Sequence, residues 1–125
     1  MSQDLYQEII LETYRSPQYK GSLADVDVTH VERNASCGDE VTVQIKMDQS
    51  RKNVLEIRWQ GEGCAISLAT LDLLIPELQG QTVENILKKT KTDLLHRLGL
   101  EEISPGREKC LMLGLRAIQK GLQDA

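Results

Sequence analysis

From Val26 onward the hydrophobic period of this chain changes once, at Cys64, and that change limits the possible folds more than any other feature. Before it, Val41, Val43, Ile45 and Met47 alternate strictly, and Leu55, Ile57 and Trp59 alternate again beyond the polar stretch 48–53. A period of two puts every second side chain on one face of a strand. A weaker alternation, Val26, Val28 and His30, comes first, so the segment predicts a small antiparallel meander of three strands. Beyond Cys64 apolar residues recur at helical spacing, and stretches 65–78, 82–89, 91–98 and 105–122 all predict helices. Strands followed by helices give an α+β fold, a three-stranded antiparallel sheet packed on one face by helices.

The flanking punctuation fits this layout. Residues 3–15 carry Leu5, Ile9 and Ile10 at helical spacing and stop before Ser16-Pro17, because the residue before a proline is driven out of the helical region. Tyr6, Tyr14 and Tyr19 read as packing residues. Pro76 is expected to kink or end the helix that starts at Ala65, and Gly80 opens the next connection. Ser104 caps the last helix with Pro105 in first position, and Leu111, Leu115, Ile118 and Leu122 form its buried stripe. With 125 residues, 40% of them hydrophobic, and no second composition regime, one domain over residues 1–125 is expected.

Charge removes some function classes. Fifteen basic against 19 acidic residues give a net charge of -4, which disfavours a phosphate-binding surface, and one Trp, three Tyr and no Phe offer no base-stacking platform. Nucleic acid is not an expected partner. The start, Met1-Ser2-Gln3-Asp4, has no basic leader before an apolar block, and no apolar run approaches the length of a spanning helix, so a cytoplasmic protein without membrane association is expected.

Three cysteines, Cys37, Cys64 and Cys110, are an odd number and make a poor disulfide framework. Cys37-Gly38-Asp39 lets a thiol and a carboxylate project to the same side of an extended segment, with Gly38 accepting whatever angles the turn needs. Cys64 closes the turn Gly61-Glu62-Gly63-Cys64 at a helix start, whose dipole favours a thiolate. Cys110 follows Arg107, Glu108 and Lys109 near another helix start, where cations act in the same direction. Three thiolates and Asp39 complete a tetrahedral set for zinc, or three sulfur anchors and one labile oxygen for an iron–sulfur cluster. Spacing alone leaves this level with buried structural cysteines, since there is no Cys-x-x-Cys pair. His30 and His96 have no Cys or His at ligand spacing and stay outside the site. A thiol hydrolase lacks a His base, and a purely structural zinc protein stays open.

The strings "NASCGDEVTVQIKM", "WQGEGCAIS" and "REKCLMLGLRAI" resemble the three cysteine blocks of the IscU, SufU and NifU-N-terminal family of iron–sulfur cluster assembly proteins. The opening "LYQEIILETYRSPQYKGSL" is similar to the family's N-terminal helix and its Asn/Ser-Pro-x-x-x-Gly turn, so the resemblance covers nearly the entire chain. It implies that Cys37, Asp39, Cys64 and Cys110 hold zinc or a transient cluster of the 2Fe–2S type. It also implies a cysteine desulfurase of the SufS or IscS kind as sulfur donor, and downstream iron–sulfur proteins as acceptors. The role is that of a scaffold or sulfur acceptor rather than a conventional enzyme, or, alternatively, of a zinc-dependent sulfurtransferase holding no cluster. Cys37, in its glycine-containing loop, is the expected persulfide acceptor and Cys110 the alternative. IscU members usually carry His before the third cysteine and a Leu-Pro-Pro-Val-Lys stretch upstream. Here Lys109 and residues 103–107, Ile-Ser-Pro-Gly-Arg, stand in those places. "GEGCAIS" and the Lys-Cys pair look closer to SufU, although the additional segment typical of SufU between its second and third cysteines is absent, so the chain is read as a short SufU-like member.

Overall fold

A computed structural model describes residues 3–35 and 38–124. Helix α1 (Gln3–Arg15) leads into strands β1 (Val28–Asn34), β2 (Asp39–Met47) and β3 (Val54–Glu62), followed by helices α2 (Ala65–Leu78), α3 (Val83–Leu87), α4 (Lys91–Leu98) and α5 (Pro105–Gln123). The strands form an antiparallel sheet in the order β1-β2-β3, with Val43 opposite His30 on one side and Trp59 on the other. The expected α+β layout is the observed one.

The strict alternation of β2 has a direct packing counterpart: Val41, Val43, Ile45 and Met47 are buried, and the residues between them are half-buried on the other face. Helix α5 lies against β1, β2 and α2, while α2 also covers β3 and takes α1 on its flank. Leu111, Leu115, Ile118 and Leu122 of α5 are buried as the stripe requires. The α1 stripe buries Ile10 fully and Ile9 partly, whereas the Leu5 side chain lies outside the described residues.

Local expectations change at Leu55, at the ends of β1 and at Tyr14, while α2 keeps the bounds 65–78 that its apolar spacing predicts. Leu55 does not point inward but is 45% exposed, and Val54 is buried in its stead. The register explains this: Lys46 pairs with Glu56 but Met47 with Val54, so a bulge at Leu55 reverses the facing of the strand end. Strand β1 starts two residues after Val26 and runs on to Asn34, because the inward position after His30 is filled by Glu32, a buried carboxylate held by Lys120 at 2.9 Å, His30 at 3.0 Å and Arg116 at 3.4 Å. Helix α2 continues through Pro76 to Leu78. A proline here lacks the amide donor and crowds the Asp72 carbonyl four residues back, and the burial of Leu74, Ile75 and Leu78 outweighs both.

The open edge of β3 is covered by chain from both sides. Trp59 exchanges backbone hydrogen bonds with Tyr19 and Gly21, and Val54 with Gly80 and Gln81. Asp72 of α2 fixes the first of these segments by accepting from the amides of Gln18 (3.0 Å) and Tyr19 (2.8 Å) and from the indole N–H of Trp59 (2.9 Å). Tyr19 is packed partly against the core and Tyr6 is buried, but Tyr14 is 46% exposed on α1 and is not a packing residue.

Candidate metal centre

The turn from β3 into α2 places Cys64 at the N-cap of the helix, in extended conformation, where its sulfur accepts from the Ser67 amide at 3.5 Å. Asp39 is the first residue of β2, and with 2% exposure its carboxylate lies inside the protein. Both carboxylate oxygens are engaged by the first turn of α2. Oδ1 accepts from the Cys64 amide at 3.0 Å, and Oδ2 accepts from the Ser67 hydroxyl at 2.6 Å with the Cys64 sulfur 3.5 Å away. The bond to Oδ1 satisfies the Cys64 amide at the helix start, and the negative carboxylate suits the positive end of the helix.

Gly63 makes this approach possible. A Cβ at residue 63 would lie 2.4 Å from Asp39 Oδ1 and 2.6 Å from its Cγ, and the backbone φ of 154° favours glycine in any case. Gly38, with φ of 76°, takes a left-handed conformation, and its amide donates to the Asn34 carbonyl at 2.9 Å to close the β1–β2 connection.

Cys110 lies in the second turn of α5, deeper in the helix than a position at its start, and is buried. Its sulfur, the Cys64 sulfur and an Asp39 carboxylate oxygen are all within 4.8 Å of one another. Ligands about 2.0–2.3 Å from a tetrahedral ion stand roughly 3.3–3.8 Å apart. The 3.5 Å between Cys64 Sγ and Asp39 Oδ2 is already of that size, so two thiols and a carboxylate fit a metal of this type after a small contraction. Cys37, the fourth expected ligand and the expected persulfide acceptor, lies outside the described residues.

Around the group, Arg107 and Lys109 are exposed on the first turns of α5. Tyr6 of α1 lines a cavity together with Arg107. Burial pushes its phenol above the usual range, the Arg107 charge opposes this and the Cys64 sulfur adds to it, and the buried hydroxyl has no hydrogen-bond partner among the described residues. The histidines are elsewhere: His30 bonds to Glu32, and His96 is exposed on α4. Sequence reasoning missed Ser67 and the close approach at Gly63. The signal for Ser67 was its place three residues after Cys64, where a helix presents an amide and a side chain back to its cap.

The chain is similar to known proteins over nearly its whole length. The family model described as the NifU-like N terminal domain matches residues 5–124. The zinc-dependent sulfurtransferase SufU of Bacillus subtilis is 30% identical, over 94% of this chain and 89% of that protein. The iron–sulfur cluster assembly scaffold protein IscU of Thermotoga maritima is 28% identical, over 95% of this chain and 93% of that protein. Among solved structures, a candidate SUF-system scaffold from Fervidobacterium islandicum superposes with a TM-score of 0.80 at 22% identity, over 98% of this chain and 99% of that one. The N-terminal part of a NifU-like protein from Brucella abortus gives 0.76 at 20% identity, over 96% and 93%. At those identities the two structures establish the shared fold.

Proposed function

The chain belongs to the NifU-like N-terminal domain family of iron–sulfur cluster scaffolds, and from that premise we propose that it binds metal through Cys37, Asp39, Cys64 and Cys110, accepts persulfide sulfur from a cysteine desulfurase and assembles or passes on iron–sulfur clusters. The observation that carries this reading is the convergence of the Asp39 carboxylate with the thiols of Cys64 and Cys110 within 4.8 Å, in a chain whose matched relatives include both a SufU and an IscU. The whole chain, residues 1–125, acts as one scaffold domain, supported by a hydrophobic core that draws on every element from α1 to α5. It works in the cytoplasm with a desulfurase of the SufS or IscS kind, and its products go to downstream iron–sulfur proteins. Among the described residues no helix is long and apolar enough to cross a membrane.

Zinc, when bound, holds the thiolates ionised and shields their mutual repulsion. The chain's own part is to present one of those thiolates to the incoming sulfur. The Cys37 thiolate attacks the outer sulfur of the desulfurase persulfide, a new sulfur–sulfur bond forms to Cys37, and the old one breaks with its electron pair left on the desulfurase thiolate. No net oxidation occurs in that exchange. Cys110 is the alternative acceptor, and its burial in the second turn of α5 counts against it. Converting the sulfane sulfur to sulfide for a 2Fe–2S cluster then takes iron and electrons from an external reductant. Asp39, an oxygen donor, binds soft iron–sulfur cargo less firmly than a thiolate, so the site releases what it holds.

A second reading, a zinc-dependent sulfurtransferase that holds no cluster, is favoured by Lys109 before Cys110 and by the similarity to the Bacillus subtilis SufU. One experiment separates the readings. The protein is incubated with a cysteine desulfurase and cysteine without reductant, and any persulfide is located by peptide mass spectrometry. Iron and a reductant are then added, and cluster absorbance is followed. Persulfide on Cys37 with subsequent cluster formation supports the scaffold, persulfide without cluster supports the relay, and neither product overturns both.

A further inference from the structure

We propose that Ser67 is a positioning residue of the metal centre: its hydroxyl fixes the orientation in which Asp39 meets the ion. The inference rests on the metal-binding reading above and adds a residue with a distinct task.

Ser67 is the third residue of α2 and is 0% exposed. It donates from two atoms to two different candidate ligands, the amide to Cys64 Sγ at 3.5 Å and the hydroxyl to Asp39 Oδ2 at 2.6 Å. The hydroxyl oxygen also stands 3.3 Å from Cys64 Sγ. An ionised carboxylate only accepts hydrogen bonds, and so does a thiolate, so a single hydroxyl proton must choose between them. The shorter contact and the more concentrated charge of the carboxylate oxygen direct that proton to Asp39. The Cys64 sulfur retains the amide.

Among the described residues the Cys64 amide donates to Oδ1 and the Ser67 hydroxyl makes the shortest contact to Oδ2. With both ends held, rotation about the bond between Cβ and Cγ is blocked, and the carboxylate enters the metal centre already turned. The Cys64 amide belongs to the backbone and survives any substitution of side chains. The Ser67 hydroxyl, by contrast, is a part of the clamp that a substitution removes. Loss of a hydrogen bond to a ligand typically lowers metal affinity about 10–100-fold.

The test measures zinc affinity by competition with a chromophoric chelator in four full-length proteins: wild type, Ser67→Ala, Asp39→Ala and the double variant. Ser67→Ala is expected to bind zinc about 10–100-fold more weakly. In the Asp39→Ala background the same substitution is expected to cost nothing further, because the residue acts through that carboxylate. With cobalt(II) as probe, the thiolate charge-transfer bands of Ser67→Ala keep their intensity while the ligand-field bands move towards those of Asp39→Ala. A purely structural serine would instead lower the unfolding midpoint of the metal-free protein and leave the cobalt spectrum alone. Wild-type or tighter zinc binding by Ser67→Ala overturns the assignment, as does an equal loss in both backgrounds. Failure of the wild-type protein to bind zinc overturns the metal reading and this assignment with it, so the two failures are told apart by the wild-type measurement.

Discussion

Substituting Gly63 by alanine should damage stability and metal binding together, and the size of the effect follows from two contacts. The residue has φ of 154°, where an alanine costs on the order of 1–3 kcal/mol. Its new methyl group would also stand 2.4 Å from Asp39 Oδ1, 2.6 Å from Cγ and 2.9 Å from Cβ, closer than non-bonded atoms tolerate. Asp39 cannot swing outward, since it is buried and Ser67 holds its other oxygen. The carboxylate must therefore shift away from the Cys64 amide, giving up a charge-assisted hydrogen bond worth about 1.5–3 kcal/mol. Together Gly63→Ala should cost about 2.5–6 kcal/mol, a large part of the 5–15 kcal/mol that holds a domain of this size. Urea unfolding followed by Trp59 fluorescence measures the first effect and chelator competition for zinc the second. Gly106→Ala is the control: an added Cβ there meets nothing within 4 Å, and its midpoint should be unchanged or slightly raised. A Gly63→Ala protein with the wild-type midpoint would refute the steric argument. One that is destabilised but binds zinc at full affinity would show that Gly63 does not set the position of Asp39.

Glu32 links pH to stability. Burial alone would push its carboxyl up, but hydrogen bonds from Lys120 and His30, with the charges of Lys120 and Arg116, prevail and hold it below the ordinary value of 4.5. Its contribution is thus present above about pH 4.5 and disappears as pH falls through the lower folded-state value, so Glu32→Gln should lose about 1–3 kcal/mol at pH 7 with the gap closing in acid, as urea titrations at several pH values would record. Asp72→Ala strands two backbone amides and the Trp59 indole N–H, and a loss of about 2–4 kcal/mol is expected with a shift in emission from Trp59, the only tryptophan; an unaltered emission spectrum would count against the proposed anchoring. On the proposed function, Asp39→Cys should retain metal or cluster longer against a chelator yet deliver it more slowly to an acceptor protein, and transfer at the wild-type rate with tighter retention would show that the oxygen ligand is not what permits release.

What could be read from the sequence depended on whether one physical pattern dominated each stretch. Strand β2 was legible because its alternation and its burial are the same fact. Strand β3 was legible except at Leu55, where an extra residue shifts the register, and a bulge leaves no mark in an apolar pattern. The far end of β1 was hidden because Glu32 occupies an inward position, and its partners are His30 of β1 itself and Arg116 and Lys120 of α5, more than 80 residues along the chain. Pro76 stands two residues before the end of α2 at Leu78, and the apolar spacing of 65–78 marked that end better than the proline did. At the site, Cys64 and Asp39 could be chosen by chemical type, and the resemblance joined them to Cys37 and Cys110. Ser67 and Gly63 carry no such chemistry, and only the approach of β2 to the first turn of α2 gives them a role.

That approach is in turn set by packing away from the ligands. Cys110 and Gly114 are one turn apart on α5, and Gly114 faces Leu71, two turns into α2 from Cys64. A Cβ on Gly114 would lie 2.7 Å from the Leu71 Cβ, so the two helices are as close there as a missing side chain allows. A larger residue at 114 must part α2 from α5, and because each helix is stiff over one or two turns, the displacement is carried to its end. The sulfurs of Cys64 and Cys110 ride on those ends. Their separation within 4.8 Å is therefore a property of a glycine–leucine contact in the core as much as of the cysteines themselves. The same reasoning places Asp39, since Val41, two residues on, is fully buried and fixes the start of β2. A carboxylate, two thiols and the residues that hold them meet because the core leaves the elements no other way to pack.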